Sequence, residues 1–276
     1  TPLRRPAGFS MKSHRQSAAR APRRSDHACP ADVPGGRLVV GLRPVREAIR
    51  RHGALLREVV IEDRSTAQLE ALGRFATDQG ASVRRVPRAL LDSWSRGVSH
   101  QGAVAFAPEL ALVTLDELLE DRELVALALD SLTDPQNFGA VVRSAVAFGG
   151  AALLWGEHAS APLTPATFRA SAGAIEHARL CRVRSLVEAL GRATDQGVHV
   201  VGLDPEGQAE LRSLDLSGPT LLVLGSEGAG LGRATRRACR TLASLGTLSM
   251  LQSVNVSVAA GIALYEIRNQ RSKSNV

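Results

Sequence analysis

Leu124–Gly150 reads LVALALDSLTDPQNFGAVVRSAVAFGG, and the fold follows from how this stretch is interpreted. Leu124–Leu129 is an unbroken apolar run whose length suits a strand covered on both faces, as in a parallel sheet. Pro135 interrupts the pattern. Helical spacing resumes over Gly139–Phe148, where Ala140, Val141, Ala145 and Phe148 can share a face. A buried strand, a polar loop and a helix therefore follow one another. In open α/β sheets ligands sit at such carboxyl-terminal strand ends. Two polar residues stand there: Asn137, read as lying in the loop just ahead of the helix, and Arg143, in its first turns. Locally, Asn137 can be a helix cap and Arg143 can snorkel to solvent or pair with a carboxylate; both can also face a ligand.

A second stretch has the same grammar. Thr220–Gly225 (TLLVLG) is a buried strand, Gly225–Gly232 (GSEGAGLG) is a glycine-rich turn, and a helix with Arg233, Arg236 and Arg237 follows. Glycines at such a junction permit close backbone approach to a ligand. No Gly-Lys-Ser/Thr is present, so this is not a Walker A loop, and the glycine spacing is not that of a dinucleotide fingerprint. Glu227 sits in the turn, as a solvated carboxylate or a site group. A third stretch, Leu251–Gln270 (LQSVNVSVAAGIALYEIRNQ), places Ser253, Asn255 and Ser257 ahead of an apolar helix over Val258–Ile267. One of the three would suffice as a cap; together they suggest a polar pocket.

Outward from these stretches, residues 1–36 show no sustained periodicity and read as a disordered basic leader. Residues 37–107 alternate strands and helices as a small α/β unit. Its strands are expected at Arg37–Gly41, Arg57–Glu62, Ala81–Val86 and Val98–Phe106; Ser65 is expected to cap a helix running to Gln79. His100 and Gln101 precede the last of these strands and can touch RNA, although a lone exposed His-Gln pair reads more simply as a surface turn. Residues 108–122 are acidic with scattered leucines and read as a linker with a short helix. The second domain is expected over 123–274, with further strands at Ala151–Trp155 and Val198–Leu203 and a helix at Ser185–Gln196. Ser171–Leu180 (SAGAIEHARL) has the small residues of a close backbone approach.

The formal net charge is +7, and eight basic against two acidic residues fall in 1–37, so the remainder is near neutral. A basic tail on a balanced body suits a polyanion such as RNA; an organelle-import leader is the alternative, against a cytoplasmic setting. Aromatic content of 3% argues against a base-stacking platform. No apolar run is long enough to span a membrane. Cys29, Cys181 and Cys239 form neither a metal spacing nor a disulfide framework.

Taken together, DPQNFGAVVRSAVAFG, LLVLGSEGAGL and SVNVSVAAGIALYEI resemble, in order and spacing, the three motifs of the SpoU family of RNA ribose 2′-O-methyltransferases within the SPOUT class. GLRPVREAI, SHQGAVAF and SAGAIEH resemble its bacterial 23S rRNA guanosine-2′-O-methyltransferase subgroup. The resemblance implies an α/β fold in which a SPOUT domain with a parallel sheet and a C-terminal trefoil knot follows a small ribosomal-protein-like RNA-binding domain. It implies S-adenosylmethionine as methyl donor, RNA as substrate, and a homodimer whose active site uses both subunits, without a metal. Carried over by motif, the catalytic positions are Asn137, Arg143, Glu227, Ser253 and Asn255. Gly225, Gly230, Leu245, Leu251 and Val254 fall where the cofactor is held. The chain departs from the family in Leu245–Gln252 (LGTLSMLQ), which lacks the usual Ile-Pro and central glycine, and in having Val254 before Asn255 where leucine is usual.

The expected chemistry needs the ribose 2′-oxygen in line with a sulfonium methyl group, a route for its proton, and exclusion of water. Arg143 is expected to pair with the neighbouring phosphate and stabilise the developing alkoxide, with Asn137 and Glu227 holding Arg143 in place. The competing readings are a tRNA 2′-O-methyltransferase of the same family and a catalytically silent RNA-binding or ribosome-assembly protein.

Overall fold

The computed structural model describes residues 36–64, 66–157, 163–246 and 254–274. The first unit runs β1 (Gly36–Val40), α1 (Leu42–His52), β2 (Glu58–Glu62), α2 (Ala67–Asp78), β3 (Val83–Val86), α3 (Arg88–Ser95) and β4 (Ala103–Pro108). Its sheet has the order β1-β4-β2-β3, with β4 antiparallel to both neighbours and β3 parallel to β2. Alternate residues of the strands feed two cores. Val45, Ile49, Leu69 and Leu72 of α1 and α2 pack on Val39, Val59 and Ile61. Leu91 and Trp94 of α3 pack on Val60, Val104 and Phe106 across the sheet, with Trp94 edge-on to Phe106 at 5.6 Å.

Two expectations change in this unit. The cap of α2 is Thr66, whose hydroxyl accepts from the Leu69 N–H at 3.3 Å; Ser65 lies outside the described residues. The last strand starts at Ala103, not Val98, because Gln101 and Gly102 are left-handed, with φ of 51° and 80°. His100 is buried, not exposed. Its Nδ1 accepts from the Gly102 N–H at 3.0 Å and its Nε2–H donates to Asp92 at 2.8 Å, so it holds the turn that enters β4.

The second unit begins with α4 (Leu115–Leu119), closed at its start by a reciprocal pair between Thr114 and Glu117. Then come β5 (Val125–Leu129), α5 (Pro135–Ala147), β6 (Ala152–Gly156), α6 (Pro165–Ala170), β7 (Leu180–Val183), α7 (Leu186–Asp195) and β8 (His199–Leu203). The chain ends with β9 (Ala209–Glu210), β10 (Thr220–Leu224), α8 (Arg233–Ala238), β11 (Thr241–Ser244) and α9 (Val256–Ser274). The seven strands are parallel, in the order β7-β6-β5-β10-β8-β11-β9. Leu127 and Leu129 of β5 face the core formed with α5 and α9, while Ala126 and Ala128 face that formed with α4 and α7. Cover on both faces is why β5 is apolar without alternation. The stretch read as a linker is docked by Leu118 and Leu119 and by Val113, whose N–H donates to the Leu180 carbonyl.

The order of strands reverses between β5 and β10. Their carboxyl-terminal ends are joined by the Asp130 N–H on the Leu224 carbonyl at 2.8 Å, and the crevice there is the position expected for a site. At the opposite edge Arg271 of α9 donates to the carbonyls of Glu123, Leu124, Leu216 and Gly218. Among the described residues no helix is long and apolar enough to cross a membrane.

Candidate active site

The helix carrying the first motif begins earlier than periodicity suggested. Pro135 occupies the first helical position, where its missing N–H is no loss. Asp134, not Asn137, is the cap, accepting from the N–H groups of Gln136 and Asn137 at 3.1 and 3.2 Å. Asn137 therefore lies in the first turn of α5 rather than in the loop. It is 9% exposed, with its amide turned toward the crevice side of the fold. Gly139 follows because nothing larger fits: a Cβ there would lie 2.4 Å from that of Ala170. α5 is thus seated directly on the end of α6.

The loop after β10 is closed on itself. Ser226 and Gly230 exchange two backbone hydrogen bonds, at 3.0 and 3.1 Å. A Cβ on Gly225 would fall 2.1 Å from the Gly230 carbonyl carbon, so residue 225 must be glycine for the loop to close. Gly228 and Gly230 have positive φ, and nothing lies within 4 Å of where their Cβ atoms would be, which leaves loop backbone open to an approaching ligand. Buried Asp130, at the end of β5, accepts from the Gly232 N–H at 2.8 Å and ties the loop's far end to the first motif. Glu227, in the loop, is exposed.

Asn255, just before α9, joins the three motifs. Its Oδ1 accepts from the Ser257 N–H (2.9 Å), the Ser257 hydroxyl (2.6 Å) and the Val258 N–H (3.4 Å), which makes it the cap of α9. Its Nδ2 donates to Asn137 Oδ1 at 3.1 Å and to Glu227 Oε1 at 2.6 Å. Three donors on one side and a carboxylate on the other fix which amide atom is oxygen and which is nitrogen. One side chain therefore both starts the last helix and aligns an amide and a carboxylate from the two other strand ends.

Asn137, Glu227 and Asn255 are thus brought together, and Gly225 and Gly230 frame the loop between them. Leu245, which follows β11, and Val254, which precedes α9, are both partly buried. Ser253 and Leu251 lie outside the described residues. Arg143 is exposed, and among the described residues Asn137 and Glu227 both accept from Asn255. Six residues along a helix, Arg143 stands about 9 Å further on and on a different side from Asn137. Asp130 and Asp134 are structural residues of the site that look like ordinary turn residues in the sequence. Cys181 and Cys239 are raised to about 11, chiefly by burial, so both are protonated near neutral pH and are poor nucleophiles.

Residues 124–265 match the SpoU rRNA methylase family, and residues 38–112 match the family described as RNA 2′-O ribose methyltransferase substrate binding. An uncharacterized tRNA/rRNA methyltransferase of Mycobacterium sp. (strain KMS) is 35% identical over 95% of this chain and 83% of its own. The 23S rRNA (guanosine-2′-O-)-methyltransferase RlmB of Pseudomonas syringae pv. tomato is 35% identical over 85% of this chain and 96% of its own. The crystal structure of the SpoU methyltransferase AviRb from Streptomyces viridochromogenes, in complex with AdoMet, superposes with a TM-score of 0.72 at 26% identity, covering 86% of this chain and 91% of that one. With both units matched, and with the amide, carboxylate and cap meeting where the family's three motifs fall, this chain belongs to the SpoU family of RNA methyltransferases.

Proposed function

We propose that this protein transfers a methyl group from S-adenosylmethionine to the ribose 2′-hydroxyl of a guanosine in large-subunit rRNA. The observation that carries the reading is the Asn255 amide, which joins Asn137 and Glu227 across three strand ends. The Pseudomonas relative's activity supports the guanosine and the rRNA. The matched substrate-binding unit favours rRNA over tRNA, since the simplest tRNA enzymes of this family lack one. In this reading residues 37–107 hold RNA, 108–122 link, 123–274 catalyse, and the work is cytoplasmic.

The residues present fit the methyl donor. The open backbone at Gly228 and Gly230 allows close approach. Glu227 would supply a carboxylate that favours a cationic group bound beside it. Leu245 and Val254 offer partly buried apolar surface. S-adenosylmethionine supplies an electrophilic methyl group on a cationic sulfur. The protein's part is placement. Asn255 holds Glu227 and Asn137 in register, and their free acceptor and donor atoms orient the ribose. Arg143, whose planar guanidinium matches phosphate oxygens, binds the phosphate beside the target and stabilises the developing alkoxide. The proton leaves to that phosphate or to water. The C-terminal trefoil knot that the family resemblance implies belongs to the same reading.

The active unit in this reading is a homodimer. Val258, Ile262 and Tyr265 recur on one face of α9 and are 50%, 46% and 60% exposed, an exposed apolar stripe on a helix whose other face is buried through Ala260, Ala263, Leu264 and Ile267. It runs beside α5, where Phe148 meets Tyr265 edge-on at 6.3 Å. A second copy seated there completes the site around Arg143. The test is methyl transfer from labelled S-adenosylmethionine to unmodified large-subunit rRNA, small-subunit rRNA and tRNA in parallel. Incorporation into large-subunit rRNA supports the reading. Incorporation into tRNA alone overturns the substrate and keeps the chemistry, and none at all overturns both.

A further inference from the structure

The two units meet through a buried polar contact that the chemistry does not use. Glu176 lies in the single turn Ala174–His177 of the catalytic unit, with a side chain 1% exposed. Arg37 of β1 comes from the RNA-binding unit and is 8% exposed. Its two terminal nitrogens donate to the two Glu176 oxygens, one of them at 2.8 Å, and its Nε donates to the Pro108 carbonyl at 2.9 Å. Its guanidinium also lies over the Phe168 ring at 5.2 Å. His52, at the end of α1, donates from Nε2 to Glu176 at 3.0 Å. Beside this, Glu47 of α1 accepts from His177 at 2.9 Å. Gly173, with φ of 91°, lets the backbone in so closely that a Cβ would stand 2.8 Å from that of Glu47.

The same segment touches the active site from its other side. Ala170 and Ser171 press on Gly139, two residues from Asn137. Residues 165–177 thus lie between the helix that carries Asn137 and the unit matched to substrate binding. We infer that Glu176 is a positioning residue, the anchor that sets where the RNA-binding unit holds its substrate relative to Asn137, Glu227 and Asn255. It touches no substrate itself and acts through Arg37 and His52. The physical reason is the cost of the alternative. With Glu176 neutral, Arg37 is a buried cation facing no anion. It regains water most readily by the two units parting, so losing the carboxylate moves a whole unit rather than one side chain. The inference rests on the RNA methyl-transfer reading above.

The experiment uses the full chain as wild type, Glu176→Gln, which keeps the shape but removes the charge and one of the two acceptor oxygens, and Glu47→Ala, which loosens the second contact without orphaning a buried charge. Three quantities are read: the radius of gyration by small-angle X-ray scattering, the affinity for S-adenosylmethionine by calorimetry, and KM and kcat for rRNA. Glu176→Gln is expected to enlarge the radius of gyration and raise KM for rRNA about tenfold or more, since misplacement of about 1 Å costs up to about 10²-fold, while cofactor affinity stays at the wild-type value. Glu47→Ala moves both in the same direction by less, and it carries the test if Glu176→Gln does not fold. Unchanged scattering and KM in the folded variants overturn the inference, as does a parallel fall in cofactor affinity, which makes Glu176 a residue of the fold alone. If the wild type methylates no RNA, the functional reading falls, and the scattering still decides whether Glu176 holds the units together.

Discussion

Replacing Asn255 by aspartate separates its two roles. The new carboxylate still accepts from Ser257 and Val258, and it suits a helix amino terminus better than an amide does. The start of α9 should therefore be at least as stable as in the wild type. On the other side an oxygen replaces the nitrogen that donated to Glu227 at 2.6 Å and Asn137 at 3.1 Å. Two carboxylates about 4 Å apart repel by about 1 kcal/mol in a water-like medium and about 4 kcal/mol at an effective dielectric near 20. One acid of the pair should thus rise by about one to three pKa units. Methyl transfer at pH 8 with saturating cofactor should fall about 10²-fold, because Glu227 and Asn137 lose their alignment. As the pH is lowered toward about 6 the pair takes up a proton, a donor reappears between the acids, and the deficit relative to wild type should narrow. The assay is initial-rate methyl transfer across this pH range, with thermal melting alongside. Full activity at pH 8, or a melting temperature several degrees lower with activity lost in proportion, would refute the division of labour assigned to this side chain.

Other perturbations follow from the same geometry. Arg143→Ala should abolish turnover and leave S-adenosylmethionine affinity intact in a binding assay; lost cofactor affinity would make this arginine structural. Gly225→Ala forces a methyl group to within 2.1 Å of the Gly230 carbonyl carbon, so the loop must open. The cost is about 1–3 kcal/mol or more, with loss of cofactor binding as the measured outcome. Cys181 is fully buried, and burial, aided by the Glu117 charge, lifts its thiol from 9.0 to about 11. A raised folded pKa contributes stability that is present below the unfolded value and lost as pH climbs through the folded one. Wild type should therefore lose about 2–3 kcal/mol between pH 9 and 11 relative to Cys181→Ala, read from denaturant unfolding at each pH.

Much of the fold was legible where burial leaves a plain signature. The apolar runs that became β5 and β10 are buried on both faces, and the helix that became α7 starts at a serine that does cap it, accepting from the Glu188 N–H. What was not legible has local causes. β9, with two residues, and β11, with four that include a threonine and a serine, are too short for periodicity to register. Parallel pairing with neighbours makes them strands, not their own pattern. α6 was lost in a Pro- and Thr-rich stretch, although Thr164 followed by Pro165 is an ordinary helix start.

The site divides in the same way. The residue types were visible in three motifs. Their joint, an amide bridging positions 118 residues apart, depends on strand order and could not be read locally. For the same reason no local pattern announces that Asn137 and Glu227 both meet Asn255. The contact between Arg37 and Glu176 spans 139 residues and had no signal beyond the small residues of SAGAIEH.

The most direct measurement is product identity. Unmodified large-subunit rRNA would be incubated with the protein and S-adenosylmethionine bearing a deuterated methyl group, digested to nucleosides, and analysed by mass spectrometry. The account predicts 2′-O-methylguanosine carrying the heavy methyl group, at a linkage resistant to alkaline cleavage. A heavy methyl group found only on a base, or on no nucleoside of any RNA offered, would contradict it.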